Sequence, residues 1–483
     1  MLNPLMTSLI NISPVPRRKP APTANVVTPW RELLRKYDIP GPRYTSYPTI
    51  LHWNDTPTTE EWLASVTQSL NTAESEGTGA AIYIHIPFCR SLCTYCGCNS
   101  RITTNAQAGR RYVRTVLEEW RQYVQRLGRS SALPLTELHL GGGTPTYLSP
   151  DELRDLISGI LKDVSQTADA EFSVESDPRV TTREHLAVLA ELGFRRLSLG
   201  IQDFDRTVQE AVNRVQTEEQ VLETTEVARS LGFKSVNYDL IYGLPFQQLS
   251  SVENTISIVK RLRPDRIAFY AYAHVPWVKP GQRHFTEADL PSGDEKRALY
   301  DRGREMLEES GYREIGMDHF ALATDSLWHA AVGKTLHRNF MGYTSRFVAP
   351  LIGLGVSSIS DSGTAFVQNE KHLETYTERV ERDELPITRG HKLTAEDLIL
   401  RRHILNLMTR FATDWTSADT FAPYLDSVTE RLEEPIKDEL MRIDGSRCEV
   451  TAQGRAFLRN ICMAFDPHLT TDSSGKQLFS RTI

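Results

Sequence analysis

The sequence predicts an α/β fold, a partial six-fold strand-helix barrel with a smaller helical domain behind it. Three observations predict it: six short apolar runs between residues 80 and 276, amphipathic stretches long enough for a helix between them, and glycine punctuation where helix should give way to strand. The runs are AAIYIHIPF from 80, TELHLGGGTPT from 136, AEFSVESDP from 170, FRRLSLGIQDF from 194, SVNYDLIYGLP from 235 and RIAFYAYAHVP from 266. At Leu192-Gly193-Phe194, Leu231-Gly232-Phe233 and Ser310-Gly311-Tyr312 a glycine stands where a helix ends and an apolar residue where a strand begins. Right-handed βα units of this kind close into a barrel or open into a doubly wound sheet, and the pattern alone leaves both open. In either case chemistry gathers at the carboxyl ends of the strands, where Cys89, Gly141 to Thr144, Glu175, Asp177, Gln202, Asp239 and His274 fall.

Around this core the chain divides into five expected segments: a disordered extension over 1–29, an arm over 30–79 that covers the active site, the barrel over 80–290, a barrel-completing and substrate-covering segment over 291–392, and a C-terminal domain over 393–483. Six prolines in the first 29 residues break any helix there, and the basic cluster Arg17, Arg18, Lys19 follows the apolar start, unlike a secretory signal. In the C-terminal segment DLILRRHILNLMTRF and VTERLEEPIKDELMRI read as helices, and RCEVTAQGRAFLRNICMAF as strand, turn and closing helix, the outline of a winged helix. The acidic TERLEEPIKDE stretch and the lack of a basic recognition face point away from nucleic acid.

Composition bounds the function. The chain has 483 residues, 40% of them hydrophobic, and a formal charge of -7, so no global field gathers polyanions and an anionic substrate needs a local basic pocket. Charged or polar residues interrupt every apolar run before the roughly 18 to 20 residues that span a bilayer. A cytoplasmic monomer with no membrane span and no nucleic-acid partner is the expectation.

Four of the six cysteines, Cys89, Cys93, Cys96 and Cys98, lie within ten positions. A disulfide framework needs spread partners and an oxidising compartment, and a structural zinc site needs a second ligand pair that the sequence lacks. Three thiolates from one loop after a strand instead suit an iron-sulfur cluster with one iron left open to a small molecule. Cys448 and Cys462 read as buried apolar residues.

The spacing C-x3-C-x2-C over Cys89, Cys93 and Cys96, followed by GGGTP at the end of the next strand, resembles the radical S-adenosylmethionine superfamily. Within it, GPRYTSYPT, YIHIPFC, CGCN, GGGTPTYLSP, VESDPR, GIQDF, VNR, DLIYGLP, AHVP, GMDHF, LHRNF and NICMAFD resemble the oxygen-independent coproporphyrinogen III oxidase family over nearly the whole chain. The resemblance implies a partial (β/α)6 barrel, one 4Fe-4S cluster on Cys89, Cys93 and Cys96, and two S-adenosylmethionine molecules. It places Tyr83, Gly142, Glu175 and Ile359 at the molecule on the cluster, and Tyr95, Gly143, Thr144, Gln202, Arg214, Asp239 and Ala273 at the second. Cys98, off the iron, and Tyr83 take catalytic roles. The implied reaction removes hydrogen and carbon dioxide from two propionates of coproporphyrinogen III, leaving the vinyl groups of protoporphyrinogen IX, with an electron donor that the sequence does not identify. Arg43 and Arg338, with Lys279 and Arg346 behind them, are the candidate counter-charges for substrate carboxylates. The segment Ser345 to Pro350 departs from the family pattern, which leaves a paralogue acting on another tetrapyrrole as an alternative; a haem chaperone of the same superfamily is a second, against which CGCN and the long C-terminal domain argue.

Overall fold

The computed structural model describes residues 29–470 and 479–482, so the extension read over 1–29 lies outside the described residues except for Pro29. All six apolar runs are strands: β1 (Ala80–Ile86), β2 (Leu133–Gly142), β3 (Val164–Ser176), β4 (Phe194–Gln202), β5 (Ser235–Tyr242) and β6 (Arg266–Ala271). They lie side by side in chain order and parallel. Each is followed by a helix: α1 (Ala106–Leu127), α2 (Pro150–Leu161), α3 (Arg183–Glu191), α4 (Glu218–Ser230), α5 (Leu249–Leu262) and α6 (Gly293–Glu309). Ser149 and Thr217 open α2 and α4 with reciprocal capping boxes, and Gly193, Gly232 and Gly311 sit at φ of 97°, 90° and 89° where α3, α4 and α6 stop. The strand after Gly232 starts only at Ser235.

The sheet is larger than the six-run pattern predicts. Tyr312–Gly316 (β7) and His319–Leu322 (β8) form an antiparallel hairpin on β6, because Asp318 takes a positive φ and turns the chain. On the other edge Leu351–Leu354 (β9) joins β1 as a seventh parallel strand, followed by antiparallel β10 (Ile359–Asp361), β11 (Ala365–Asn369) and β12 (Ile387–Lys392). The order is β12-β11-β10-β9-β1-β2-β3-β4-β5-β6-β8-β7; the end strands β12 and β7 do not pair with each other, so the barrel is partial.

Strand periodicity sorts the side chains. On β4, Leu197, Leu199 and Ile201 are buried under the helices while Ser198, Gly200 and Gln202 are half-buried on the concave face. The same alternation puts Ser173 and Glu175 of β3, and Asn237, Asp239 and Ile241 of β5, on that face. One turn of register thus aims a row of polar residues at a single space.

Behind the barrel a second buried cluster joins Leu400, Ile404, Leu407, Phe457 and Ile461 to Leu33, Leu34, Tyr44 and Tyr47 of the arm, so this part of the arm is packed on the C-terminal segment. That segment holds the helix Ala395–Arg410, a three-stranded antiparallel sheet and the helix Leu458–Met463. The helix read over 428–443 is instead two short helices, Leu425–Arg431 and Glu433–Lys437, and a strand, Met441–Asp444. Pro435 offers no N–H to continue a longer helix, and Met441 pairs with Val450.

Candidate functional site

The three cysteines of the spacing motif leave β1 on one short loop. Phe88 and Cys89 pair with Arg101 and Ile102, which pinches the loop at its base. Its far side is pinned to the segment after β4: Thr94 N–H donates to the Val212 carbonyl at 3.1 Å and Asn213 Nδ2 to the Leu92 carbonyl at 2.7 Å. Each sulfur meets a donor that favours thiolate. Cys89 Sγ lies 3.4 Å from Thr144 Oγ1, Cys96 Sγ accepts from the Cys98 N–H at 3.4 Å, and Cys93 Sγ accepts from Arg179 and Arg214, both at 3.6 Å. Burial pushes the Cys89 thiol up to about 11, while a hydrogen bond with Cys98 pulls Cys96 below the ordinary thiol range and Cys98 above it. No three or more His, Cys, Asp or Glu side chains among the described residues converge on a single ion. Cys89, Cys93 and Cys96 nonetheless line one cavity from a single loop, the arrangement that three thiolate ligands of a multi-iron cluster would need.

Cys89, Cys93, Cys96 and Cys98 line a cavity of about 640 Å³ with Arg43, Tyr95, Gly142, Gly143, Thr144, Glu175, Gln202, Arg214, Asp239 and Ala273. The sequence therefore placed fourteen residues in one space that no local pattern connects. A second cavity of about 780 Å³ shares Gly97, Cys98, Gly142 and Glu175 with the first and adds Tyr83 and Ile359. His274 lines neither and packs on Tyr272 and Phe285.

The glycine turn is there for close approach. Gly142 has φ 114°, and a Cβ on it would stand 2.8 Å from the His85 ring and 2.9 Å from the Ile86 carbonyl. Its N–H donates to Glu175 Oε2 at 3.1 Å, and His139 Nε2 lies 3.3 Å from Glu175 Oε1. Burial opposes ionisation of Glu175, yet His139 and the glycine N–H hold its carboxyl below the ordinary value. His85 links the turn to the cysteine loop: its Nε2–H donates to the Asn99 carbonyl at 2.9 Å, leaving Nδ1 to accept from the Tyr83 hydroxyl at 3.0 Å. Tyr83 is thereby fixed in the wall of the second cavity.

On the opposite wall Asp239 accepts from Ser198 and Asn237, each at 2.8 Å, and burial together with nearby Glu175 raises its carboxyl to about 7. Arg214 spends Nη1 on Asp177 at 3.0 Å and Nη2 on the Gly200 carbonyl at 2.6 Å, leaving Nε buried without a partner. Gln282 donates to the carbonyls of Tyr95 and Ala273 and so ties the loop after β6 to the cysteine loop.

Two candidate counter-charges are not brought to either cavity. Arg338 is 6% exposed, lies over the Tyr343 ring at 4.7 Å and faces a small space beside Tyr44 and Tyr47. Arg346 is paired with Asp169. Arg43 does reach the cavity, donating to the Ala271 carbonyl at 2.8 Å, and Lys279 lines the second cavity, donating to the Cys98 carbonyl at 3.1 Å. None of residues 345–350 lines either cavity, but Val348 packs with Phe340 and Met341 on the Tyr83 cluster, so the segment that departs from the family pattern stands directly behind the second cavity's wall. Sequence reasoning gave no role to Arg179, His85, His139, Gln282 or Lys371. The first two sit in quoted motifs, which was signal enough, whereas Gln282 lies in the short helical turn Pro280–His284 and Lys371 in a loop, neither with any periodicity.

Residues 83–259 match the family model of the radical SAM superfamily. The oxygen-independent coproporphyrinogen III oxidase of Pseudomonas aeruginosa is 39% identical over 459 residues, covering 94% of this chain and 98% of the relative. That of Escherichia coli is 39% identical over 456 residues, covering 93% and 98%. A solved structure of coproporphyrinogen III oxidase from Escherichia coli, described as a radical SAM enzyme, superposes with a TM-score of 0.82 at 38% identity, covering 88% of this chain and 97% of that one.

Proposed function

Because the chain belongs to the oxygen-independent coproporphyrinogen III oxidases of the radical SAM superfamily, we propose that it converts two propionates of coproporphyrinogen III to vinyl groups, giving protoporphyrinogen IX. The observation that carries this reading is the convergence of three cysteine sulfurs from one loop, the GGGTP turn and Glu175 on a single cavity. When bound, a 4Fe-4S cluster with S-adenosylmethionine supplies the electron and the carbon radical that removal of hydrogen from an unactivated carbon requires.

Cys89, Cys93 and Cys96 are the cluster ligands in this proposal. Glu175, the Gly142 backbone, Tyr83 and Ile359 hold the S-adenosylmethionine bound there, with Glu175 ionised to accept from its ammonium. Tyr95, Gly143, Thr144, Gln202, Arg214, Asp239 and Ala273 form a second cofactor position, to which the unpartnered Arg214 Nε offers the donor that remains. Cys98, whose thiol resists ionisation beside Cys96, keeps its proton within reach of both cavities. Arg43 faces substrate from the arm, whereas Arg338 faces a small separate space beside Tyr44 and Tyr47. The arm, 30–79, and the C-terminal segment, 393–483, exclude water while the radical exists. The enzyme acts as a cytoplasmic monomer served by an external electron donor; no helix among the described residues is long and apolar enough to cross a membrane.

The test is anaerobic turnover of reconstituted protein with dithionite, S-adenosylmethionine and coproporphyrinogen III. The proposal expects 5′-deoxyadenosine and protoporphyrinogen IX together; cofactor cleavage without any decarboxylation would assign the chain to a different tetrapyrrole.

A further inference from the structure

The second cavity has the character of an amphiphile site. Phe340, Met341 and Ile359 give it an apolar wall, and Val278, 59% exposed, extends that surface at the mouth. Its mouth is basic. Lys279 and Lys371 both line it, and Arg389, on the edge strand β12, donates to Gln368 of the same wall at 2.9 Å. Neither the two lysines nor Arg389 forms an ion pair among the described residues. The neighbouring carboxylate of Glu370 accepts from the backbone N–H groups of Lys371 and His372, and that of Glu175 is held by His139 and Gly142. Burial and the neighbouring charges of Arg389 and Lys279 hold Lys371 below the ordinary lysine value, the mark of cations gathered without enough counter-charge.

The two lysines are also placed deliberately. Lys279 Nζ donates to the Cys98 carbonyl, and Asn99 Nδ2 donates to the Lys371 carbonyl at 3.0 Å. Both therefore hang from the Cys98-Asn99 step, whose other face touches the His85 and Tyr83 pair. A ligand gripped by these ammonium groups would have its apolar body directed at Tyr83, Cys98 and Glu175.

We propose that Lys279 and Lys371, backed by Arg389, form a carboxylate clamp that holds propionates of a tetrapyrrole at the mouth of the second cavity, its ring against Phe340 and Met341. The clamp rests on the tetrapyrrole reading above and adds to it where the substrate sits and which cations grip it. An apolar ring edged with carboxylates matches a cavity that is apolar within and cationic at its lip. It also explains how a chain of net charge -7 admits a tetra-anion.

The experiment titrates the reconstituted holoenzyme with coproporphyrin III, the coloured oxidised form, by fluorescence, alongside its tetramethyl ester. Wild type should prefer the free acid; Lys279→Met and Lys371→Met should each weaken acid binding by about tenfold or more, as loss of a charge-assisted bond does. The double variant should bind acid and ester alike, its unchanged ester affinity showing the cavity intact, and the double Lys→Arg variant should restore the acid preference. Wild-type acid preference kept in the double Met variant, or not restored by arginine, overturns the clamp and leaves the tetrapyrrole reading standing. Failure of the wild type to bind coproporphyrin III at all overturns both.

Discussion

Asp177 at the end of β3 is the most heavily bonded carboxylate in the site, and replacing it by asparagine has a calculable effect. Its carboxylate accepts from Arg179 Nε at 3.0 and 3.1 Å, from Arg179 Nη2 at 2.7 Å and from Arg214 Nη1 at 3.0 Å. The side chains of Asp177 and Arg214 are each 8% exposed and that of Arg179 is 19% exposed. Burial alone would raise the Asp177 carboxyl, but Arg214 and Arg179 outweigh it and hold the group below the ordinary aspartate range. Asp177→Asn leaves two guanidinium groups side by side with only Cys93 Sγ between them. Breaking a buried pair costs about 3–5 kcal/mol, and since Arg179 can turn to water the lower figure, about 3 kcal/mol, applies. Because the folded-state value is depressed, this stability is fully present above the unfolded value of about 3.9 and is lost only as pH falls through the folded one. The gap between wild type and Asp177→Asn in urea unfolding should therefore be about 3 kcal/mol and constant from pH 8 to 5. A gap under about 1 kcal/mol, or one that closes within that window, would refute the charge argument.

Gly142→Ala should cost about 1–3 kcal/mol in urea unfolding, from backbone strain at φ 114° and the push on the Ile86 carbonyl, and should abolish binding of S-adenosylmethionine in equilibrium dialysis. Glu119, fully buried on α1, accepts from the Gly355 N–H, Asn369 and Tyr376, and burial raises it from 4.5 to about 7. Wild-type stability should fall by roughly 3 kcal/mol from this group as pH rises from 4.5 to 7, and Glu119→Gln should lack that component while losing about 1–3 kcal/mol at neutral pH from a misdirected amide at Asn369. Both are read from urea midpoints across pH. Cys98→Ser should keep its full iron content by colorimetric assay yet lose protoporphyrinogen formation.

The sequence made the parallel core legible because each βα unit carries its own signals: an apolar run, a cap such as Ser149 or Thr217, a glycine such as Gly193. It made the cluster loop legible because three thiols in eight residues have few other uses. What stayed hidden depends on contacts far apart in the chain. β9 lies beside β1 although about 270 residues separate Ala81 from Leu351, and nothing in LIGL names that partner. Arg338, in a motif and so a candidate, turned out to lie over Tyr343, since a side chain's direction follows from packing and not from its motif. Lys371 drew no notice in its loop, yet Asn99 brings it to the cavity mouth.

The most direct test of the account is electron paramagnetic resonance of the reconstituted, dithionite-reduced protein before and after S-adenosylmethionine is added. The account predicts a 4Fe-4S signal whose shape changes on addition of the cofactor, and loss of both signal and change in variants at Cys89, Cys93 or Cys96. A signal indifferent to S-adenosylmethionine, or one that survives replacement of those three sulfurs, would contradict it.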